Sequence, residues 1–187
     1  MINSIIIKLL AIIILILLLP IILITSLVIF TFDGRPIFYK QKRVGCYNTY
    51  FNIYKFRTMK NNLKNTPTHL LNNPNKYLTI TGKYLRKTSL DEIPQILNII
   101  KGQMTFIGMR PSLHNQDDLI KLRKDLELDK FTPGITGWAQ INGRDSLTIK
   151  EKVVLERYYY DNKSILLDIQ ILFLTLKQVL FSKGISH

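Results

Sequence analysis

Cysteine occurs once in this 187-residue chain, at Cys46, which excludes an intrachain disulfide and any cysteine-rich metal cluster. Histidine is almost as scarce. His69, His114 and His187 lie far apart, none in a metal-ligand spacing, and each reads as an ordinary surface residue. The chain has no Gly-x-x-x-x-Gly-Lys-Ser/Thr phosphate loop, no Gly-x-Gly-x-x-Gly and no Gly-x-Ser-x-Gly. Three common routes to nucleotide binding and serine hydrolysis are thereby removed. No acid precedes Asp33, and Lys8 is the only base there. No internal repeat is visible.

What is present is a strong excess of positive charge beyond that point. Lysine and arginine number 26 against 13 acids, a net charge of +13. Such a balance points to nucleic acid, an anionic membrane surface or a phosphorylated substrate, or simply to a lysine-rich solvated surface. No recognisable nucleic-acid module accompanies it and the bases are scattered, so nucleic acid is not expected as a partner.

From Leu9 to Phe32 there is no charge, and the polar residues are only Thr25, Ser26 and Thr31. A helix of that length can cross about 30 Å of hydrocarbon. A signal peptide fits less well, because the run is long and ends in no small-x-small cleavage site. Pro20 lies mid-run. Hydropathy favours a spanning helix kinked at Pro20, with a broken helix that dips into one leaflet as the alternative. In both cases Arg35, Lys40, Lys42 and Arg43 place the basic bulk in the cytoplasm. The expected division is a membrane helix over 1–32 and a cytoplasmic domain over 33–187.

Beyond the turn-like Asp33-Gly34-Arg35-Pro36, two aromatic runs flank Gly45-Cys46-Tyr47-Asn48 and predict a β-hairpin. Residues 61–76, rich in Asn, Thr and Pro, read as a surface loop. Helices are expected over 94–100, 115–129, 150–160 and 165–181, and residues 133–144 read as a structured loop. The interleaved charges of 115–129 suggest a solvated face. The last segment is apolar apart from Asp168, Lys177 and a few polar positions, which suits an interfacial or core helix better than a second span.

One stretch concentrates chemistry: Arg86-Lys87-Thr88-Ser89-Leu90-Asp91-Glu92-Ile93-Pro94-Gln95, with Arg110-Pro111 following. Adjacent carboxylates behind two cations can attack or deprotonate while the cations hold phosphate oxygens. Spacing alone favours a plainer alternative, a Ser89/Glu92 capping box at a helix start. The two are compatible, because a helix N-terminus also receives phosphate.

Taken in order, Gln41–Gly45, Tyr54–Met59, Leu85–Gln95, Asn98–Gly102, Gly108–Pro111 and Pro133–Arg144 resemble the bacterial sugar transferases. More narrowly they are similar to the small monotopic polyprenyl-phosphate phosphoglycosyl transferases. The resemblance covers essentially the whole chain. It implies transfer of a sugar 1-phosphate from a UDP-sugar to a polyprenyl (undecaprenyl) phosphate, with UMP released, as the first membrane step of surface-glycan synthesis. It also implies Asp91 as nucleophile forming a phosphosugar-enzyme intermediate, Glu92 as base toward the lipid phosphate, and Mg2+ held in part by Asp91. Lys55, Arg57, Arg86 and Arg110 suit the neutralisation of phosphate, with Arg57 and Arg110 favoured because arginine offers paired donors. Pro111, Gln140, Arg144 and Asp168 are assigned to the substrate side, Asp168 with an arginine partner as the structural alternative.

The implied fold is α+β and mainly helical: a re-entrant N-terminal helix broken at Pro20, a small hairpin, and a catalytic domain with interfacial helices on the cytoplasmic side of the bacterial inner membrane. Leu19 stands where the family commonly has serine, and Met109 where it has proline. A homodimer is left open. The competing classes are a catalytically inactive membrane scaffold and a membrane-tethered polyanion binder.

Overall fold

The computed structural model describes residues 2–60, 74–143 and 146–181. Most of the expected loop at 61–76 therefore lies outside the described residues, as does Arg144. The mainly helical α+β expectation holds, with an apolar N-terminal helix and a small sheet.

Helix α1 covers Ile2–Asp33 and is continuous through Pro20. The helical break expected there is not present, although proline has no N–H to offer the turn before it. Among the described residues α1 is the one helix long and apolar enough to cross a membrane. One stripe faces the rest of the protein. Ile7, Ala11, Ile14, Leu15 and Leu18 pack with Phe51, Ile53, Ile96, Ile99 and Met104. Farther along, Ile22 and Ile29 pack with Phe56 and Leu85. Spacings of three and four place these residues on one helix face. The opposite face, including Ile5, Leu9, Ile13, Ile16, Leu17, Leu23 and Leu27, is exposed and apolar as far as Thr31, whose hydroxyl donates back to the Leu27 carbonyl. The folded body therefore lies alongside α1 rather than hanging from its end.

Gly34 closes α1 in the left-handed region (φ 71°) and its N–H donates to Phe30 O at 3.2 Å, a common helix stop. The Asp33 carboxylate accepts from the Ile80 and Thr81 amides and from the Thr81 hydroxyl. The helix end is thus tied to the segment before α2.

The hairpin pairs β1 (Phe38–Val44) with β2 (Tyr50–Phe56), antiparallel, Val44 opposite Tyr50. Tyr47 and Asn48 take positive φ in the turn. Phe51, Ile53 and Lys55 share one face of β2 by alternation. The first two are buried, which draws the Lys55 ammonium inward. Short α2 (Gly82–Lys87) leads to a 3-10 turn over Leu90–Gln95 and then to α3 (Ile96–Ile100). Asn98, fully buried, accepts from the Tyr54 amide and donates to Asn52 O and Gln103 Oε1. It pins β2 to α3.

A parallel pair follows that sequence reading did not foresee. It joins β3 (Thr105–Ile107) to β4 (Gly134–Thr136), inside the region expected to be loop. A Cβ on Gly134 would sit 2.1 Å from the Gly108 amide nitrogen, so only glycine permits this approach. Helices α4 (Asp117–Asp125), α5 (Trp138–Ile141), α6 (Ile149–Asp161) and α7 (Ile165–Phe181) complete the fold. Thr148 and Glu151 form a reciprocal capping box on α6. The expectation of a purely solvated face over 115–129 fails at Arg123. It is 4% exposed and grips buried Glu156 of α6 through two hydrogen bonds of 2.9 and 2.6 Å.

Candidate active site

Three separate elements deliver one charged cluster. β2 brings Lys55, the 3-10 turn brings Asp91 and Glu92, and the loop after β3 brings Arg110. Lys55 Nζ stands 2.6 Å from Glu92 Oε1 and 3.9 Å from Asp91 Oδ2. Arg110 Nη2 approaches the same Glu92 oxygen at 3.2 Å. The side chains of Lys55, Asp91 and Glu92 are each 14% exposed or less, and Arg110 is 30% exposed. Glu92 is thus clamped by two cations. Lys55 is the cation paired with the Asp91 carboxylate, and at 3.9 Å it is beyond hydrogen-bond distance.

The capping box does not form. Ser89 adopts a left-handed conformation (φ 55°) and makes no side-chain cap, while Glu92 turns to Lys55 and Arg110. Left-handed Ser89 followed by a tight 3-10 turn lets both carboxylates enter one site.

The electrostatics follow from burial. Desolvation pushes the Asp91 carboxyl above its ordinary pKa, Glu92 adds to the rise, and Lys55, Arg86 and Arg110 oppose it. Lys55 is lowered by the same desolvation, against the pull of the two carboxylates. Arg86 is held down by burial and donates through Nε to Thr58 Oγ1 at 3.0 Å. Its charge still acts on Asp91.

Sequence reading did not single out Arg43. Its guanidinium donates to Pro111 O at 3.0 Å and to Gln41 Oε1 at 2.7 Å. Burial, reinforced by Arg110, lowers it to about 10. It buttresses the Arg110-Pro111 turn from behind. The signal was available, since Gln41 and Arg43 share the less exposed face of β1 while Lys40 and Lys42 face out.

Two expected members sit elsewhere. Arg57, 5% exposed, donates to the carbonyls of Asp33, Gly34 and Arg35 at the end of α1. Helix ends leave such carbonyls without intrahelical partners, and Arg57 is engaged in satisfying them. Asp168 accepts from the Tyr159 hydroxyl at 2.7 Å and fastens α6 to α7. In that contact its partner is a tyrosine rather than the arginine weighed as the structural alternative. Pro111 contributes its carbonyl to Arg43, and Gln140 lines a cavity next to Glu92 and Arg110.

Arg110 is itself held from below. Arg123 Nη2 donates to the Arg110 carbonyl at 3.0 Å, and the Tyr160 hydroxyl accepts from the Met109 amide at 3.4 Å. A buried ion pair therefore sets the backbone that presents Arg110.

The arrangement offers one carboxylate without a close donor, a second carboxylate held between cations, and positive charge on several sides. It can bring an anion to an anionic nucleophile, a task for which preorganised charge is the main requirement.

Comparison with known proteins agrees with this chemistry. The bacterial sugar transferase family matches residues 1–182. The uncharacterized sugar transferase EpsL of Bacillus subtilis (strain 168) is 42% identical over 177 residues, 95% of this chain and 86% of that protein. The undecaprenyl-phosphate glucose phosphotransferase of Komagataeibacter xylinus is 33% identical over 190 residues, 93% of this chain but 35% of that protein. The undecaprenyl-phosphate galactose phosphotransferase of Salmonella typhimurium is 35% identical over 170 residues, 82% of this chain and again 35% of that protein. The chain spans about a third of the length of the latter two. A match that runs almost end to end, through every segment that builds the charged cluster, places this chain in the bacterial sugar transferase family.

Proposed function

We propose that this protein transfers a sugar 1-phosphate from a UDP-sugar to undecaprenyl phosphate, releasing UMP. The observation that carries the reading is the pairing of a buried, loosely held Asp91 with a tightly clamped Glu92 inside a cationic ring. Two relatives named as undecaprenyl-phosphate sugar phosphotransferases support it.

In the proposed first step an Asp91 oxygen attacks the β-phosphorus of the donor. The bond from that phosphorus to the bridging oxygen breaks, and UMP departs with the electron pair. In the second step an oxygen of the lipid phosphate attacks the same phosphorus, and the Asp91–phosphorus bond breaks to restore the carboxylate. Glu92 accepts any proton the incoming phosphate carries. Lys55 and Arg110 hold the Glu92 carboxylate in place near the reacting oxygens, and Arg86 adds positive charge near Asp91. Splitting one displacement into two lets each pass through the same preorganised cluster.

A hard divalent cation fits the donors present. Asp91 and Glu92 offer carboxylate oxygens, which suit Mg2+, an ion commonly shared between one or two carboxylates and substrate phosphates. Asp91 would hold it, and bound Mg2+ would neutralise charge on the pyrophosphate.

The proposed topology is monotopic, with α1 unbroken at Pro20 and both of its ends on the cytoplasmic side of the inner membrane. Near the start of α1, Ala11 is buried against α3, and the Lys8 side chain reaches the backbone at Gly102. At its end Asp33 binds Thr81. A helix crossing the bilayer would carry one of these contacts away from a cytoplasmic body. The basic residues after Asp33 favour the cytoplasm.

Purified protein in detergent, given UDP-sugars, undecaprenyl phosphate and Mg2+, is expected to release UMP. Release of UDP would mean ordinary glycosyl transfer, and absence of both nucleotides across a broad donor panel would favour an inactive scaffold. For topology, single cysteines at Asn3 and Lys40 in a Cys46→Ser background should be labelled only from the cytoplasm. Labelling at position 3 from outside would restore the spanning helix.

A further inference from the structure

Next to the carboxylate pair lies a cavity of about 250 Å³ whose polar centre the proposed chemistry does not use. Ile93, Ile96, Phe106, Ile135 and Val179 supply apolar wall, and Glu92 and Arg110 stand at its edge. Gln140 also lines it. Both atoms of its amide, Nε2 and Oε1, are out of solvent and have no hydrogen-bond partner among the described residues. A buried amide left with neither donor nor acceptor satisfied is costly, and native proteins rarely keep one without a use. Three other polar side chains around the cavity are engaged. The Thr136 and Thr175 hydroxyls meet at 2.7 Å, Thr175 donates onward to the Ile171 carbonyl, and Gln178 Nε2 donates to the Ile141 carbonyl.

We propose that this cavity receives the sugar ring of the donor and that Gln140 reads an acylamino substituent on it. The assignment rests on the phosphosugar-transfer reading above and narrows its substrate. The sugar is bonded to the phosphorus that Asp91 attacks, and Glu92, its neighbour in the chain, borders the cavity. A space of this size holds one pyranose and is far too small for a polyprenyl chain. A sugar with hydroxyls alone would bury several donors against aliphatic wall that accepts none. An acylamino group matches better. Its methyl meets the apolar wall, its carbonyl accepts from Gln140 Nε2, and Oε1 remains for a neighbouring hydroxyl. Gln140 is then a specificity-determining residue, and its orphaned amide is the unfilled half of that contact.

The test measures UMP release by the full-length protein in detergent with undecaprenyl phosphate and Mg2+. The donors are UDP-glucose, UDP-galactose and UDP-hexoses carrying one or two N-acetyl groups. The wild type should prefer an acylamino donor by roughly 100-fold in kcat/KM, because a site built around a hydrogen bond rejects the analogue that lacks it. Gln140→Met keeps the length and removes the amide. It should lose about 30- to 100-fold on the acylamino donor, mostly in KM, and bring the ratio of acylamino to unsubstituted donors close to one. Gln140→Glu keeps an acceptor but not the donor, and should fall between. A preference for the unsubstituted hexoses overturns the proposal, as does an unchanged donor ratio in Gln140→Met. Equal loss on every donor marks Gln140 as structural and also overturns it. In these cases UMP release still supports phosphosugar transfer. No UMP from the wild type with any donor removes that reaction, and the sugar pocket with it.

Discussion

Lys55→Met tests the electrostatic logic of the cluster most directly. The lysine lies 2.6 Å from Glu92 and 3.9 Å from Asp91, with all three side chains 14% exposed or less. Removing one partner of a buried pair typically costs about 3–5 kcal/mol, because the other charge stays desolvated. Arg110 still reaches Glu92 at 3.2 Å, and methionine removes the cost of burying an ammonium. Both effects lower the expected loss to roughly 2–3 kcal/mol at pH 7. For a chain of this size that is about 4–12 °C in melting temperature. The loss has a defined pH dependence. Without Lys55 the Asp91 carboxyl loses its main opposing charge, so its folded pKa rises farther above the unfolded value. A carboxylate raised on folding destabilises the native state once pH exceeds the folded pKa, and the penalty disappears as pH falls below the unfolded value. The deficit of Lys55→Met should therefore shrink from pH 7 toward pH 4–5. Thermal melts of wild type and variant across that range, at constant detergent, measure it. Adding Glu92→Gln should recover about half of the loss or more, since the pair is then removed together. A Lys55→Met protein as stable as wild type at pH 7, or one whose deficit does not change with pH, would refute the description of Lys55 as the counter-charge of a buried site.

Asp91→Asn should abolish UMP release yet raise stability at pH 7 by about 1 kcal/mol, a trade seen where active sites hold unfavourable charge. Its sign follows from the raised Asp91 pKa: the wild type loses stability as pH rises through that value, so the gain should vanish in acid. In the pH–rate profile the acid limb should lie above the ordinary aspartate value of about 3.9 and the basic limb below the ordinary lysine value of about 10.4. An acid limb at the ordinary value would remove Asp91 as the titrating nucleophile. Arg123→Met should cost about 3–5 kcal/mol by stranding Glu156 in the interior. It should also depress turnover of the protein that remains folded, measured on active-site-normalised samples, because the Arg110 carbonyl loses its anchor.

Much of the plan was legible in the chain, and the misses share a cause. The hairpin, the α7 boundaries and the grouping of Lys55 with Asp91, Glu92 and Arg110 follow from alternation, turn residues and motif order. Glu92 was open to misreading because Ser-x-x-Glu is a capping signal, and only the left-handed Ser89 shows that the signal is not used. Arg57 looked equivalent to Lys55, two residues away. However, β2 ends at Phe56, so Arg57 leaves the pleat and turns toward the end of α1. Arg123 was hidden by charge. Its spacing of four from buried Leu119 put it on the inward face of α4, a sign that composition overrode. β3 and β4 are three residues each, too short for any periodic pattern to register.

The contacts of α1 explain why such a site should be built on this helix. Asp91 and Glu92 are followed within a few residues by Ile96 and Ile99, and both pack in the cluster that buries Ala11 of α1. Lys55 extends from the strand whose Phe51 and Ile53 enter the same cluster. The proposed nucleophile and base and their counter-charge are thus referenced to one stripe of α1, while its opposite face is largely apolar. The depth at which α1 lies in the bilayer therefore fixes the depth of the carboxylates. A long polyprenyl tail cannot leave the hydrocarbon without losing about 0.8 kcal/mol for each CH2 exposed, so its phosphate is confined to the headgroup layer. Catalysis then requires that the attacking groups be held at that level before the acceptor arrives. A charged substitution in the buried stripe, such as Ala11→Lys, should uncouple the two. It should lower UMP-forming activity with lipid-embedded acceptor far more than UMP release from the donor alone. Equal loss of both activities would show that α1 supports only the fold.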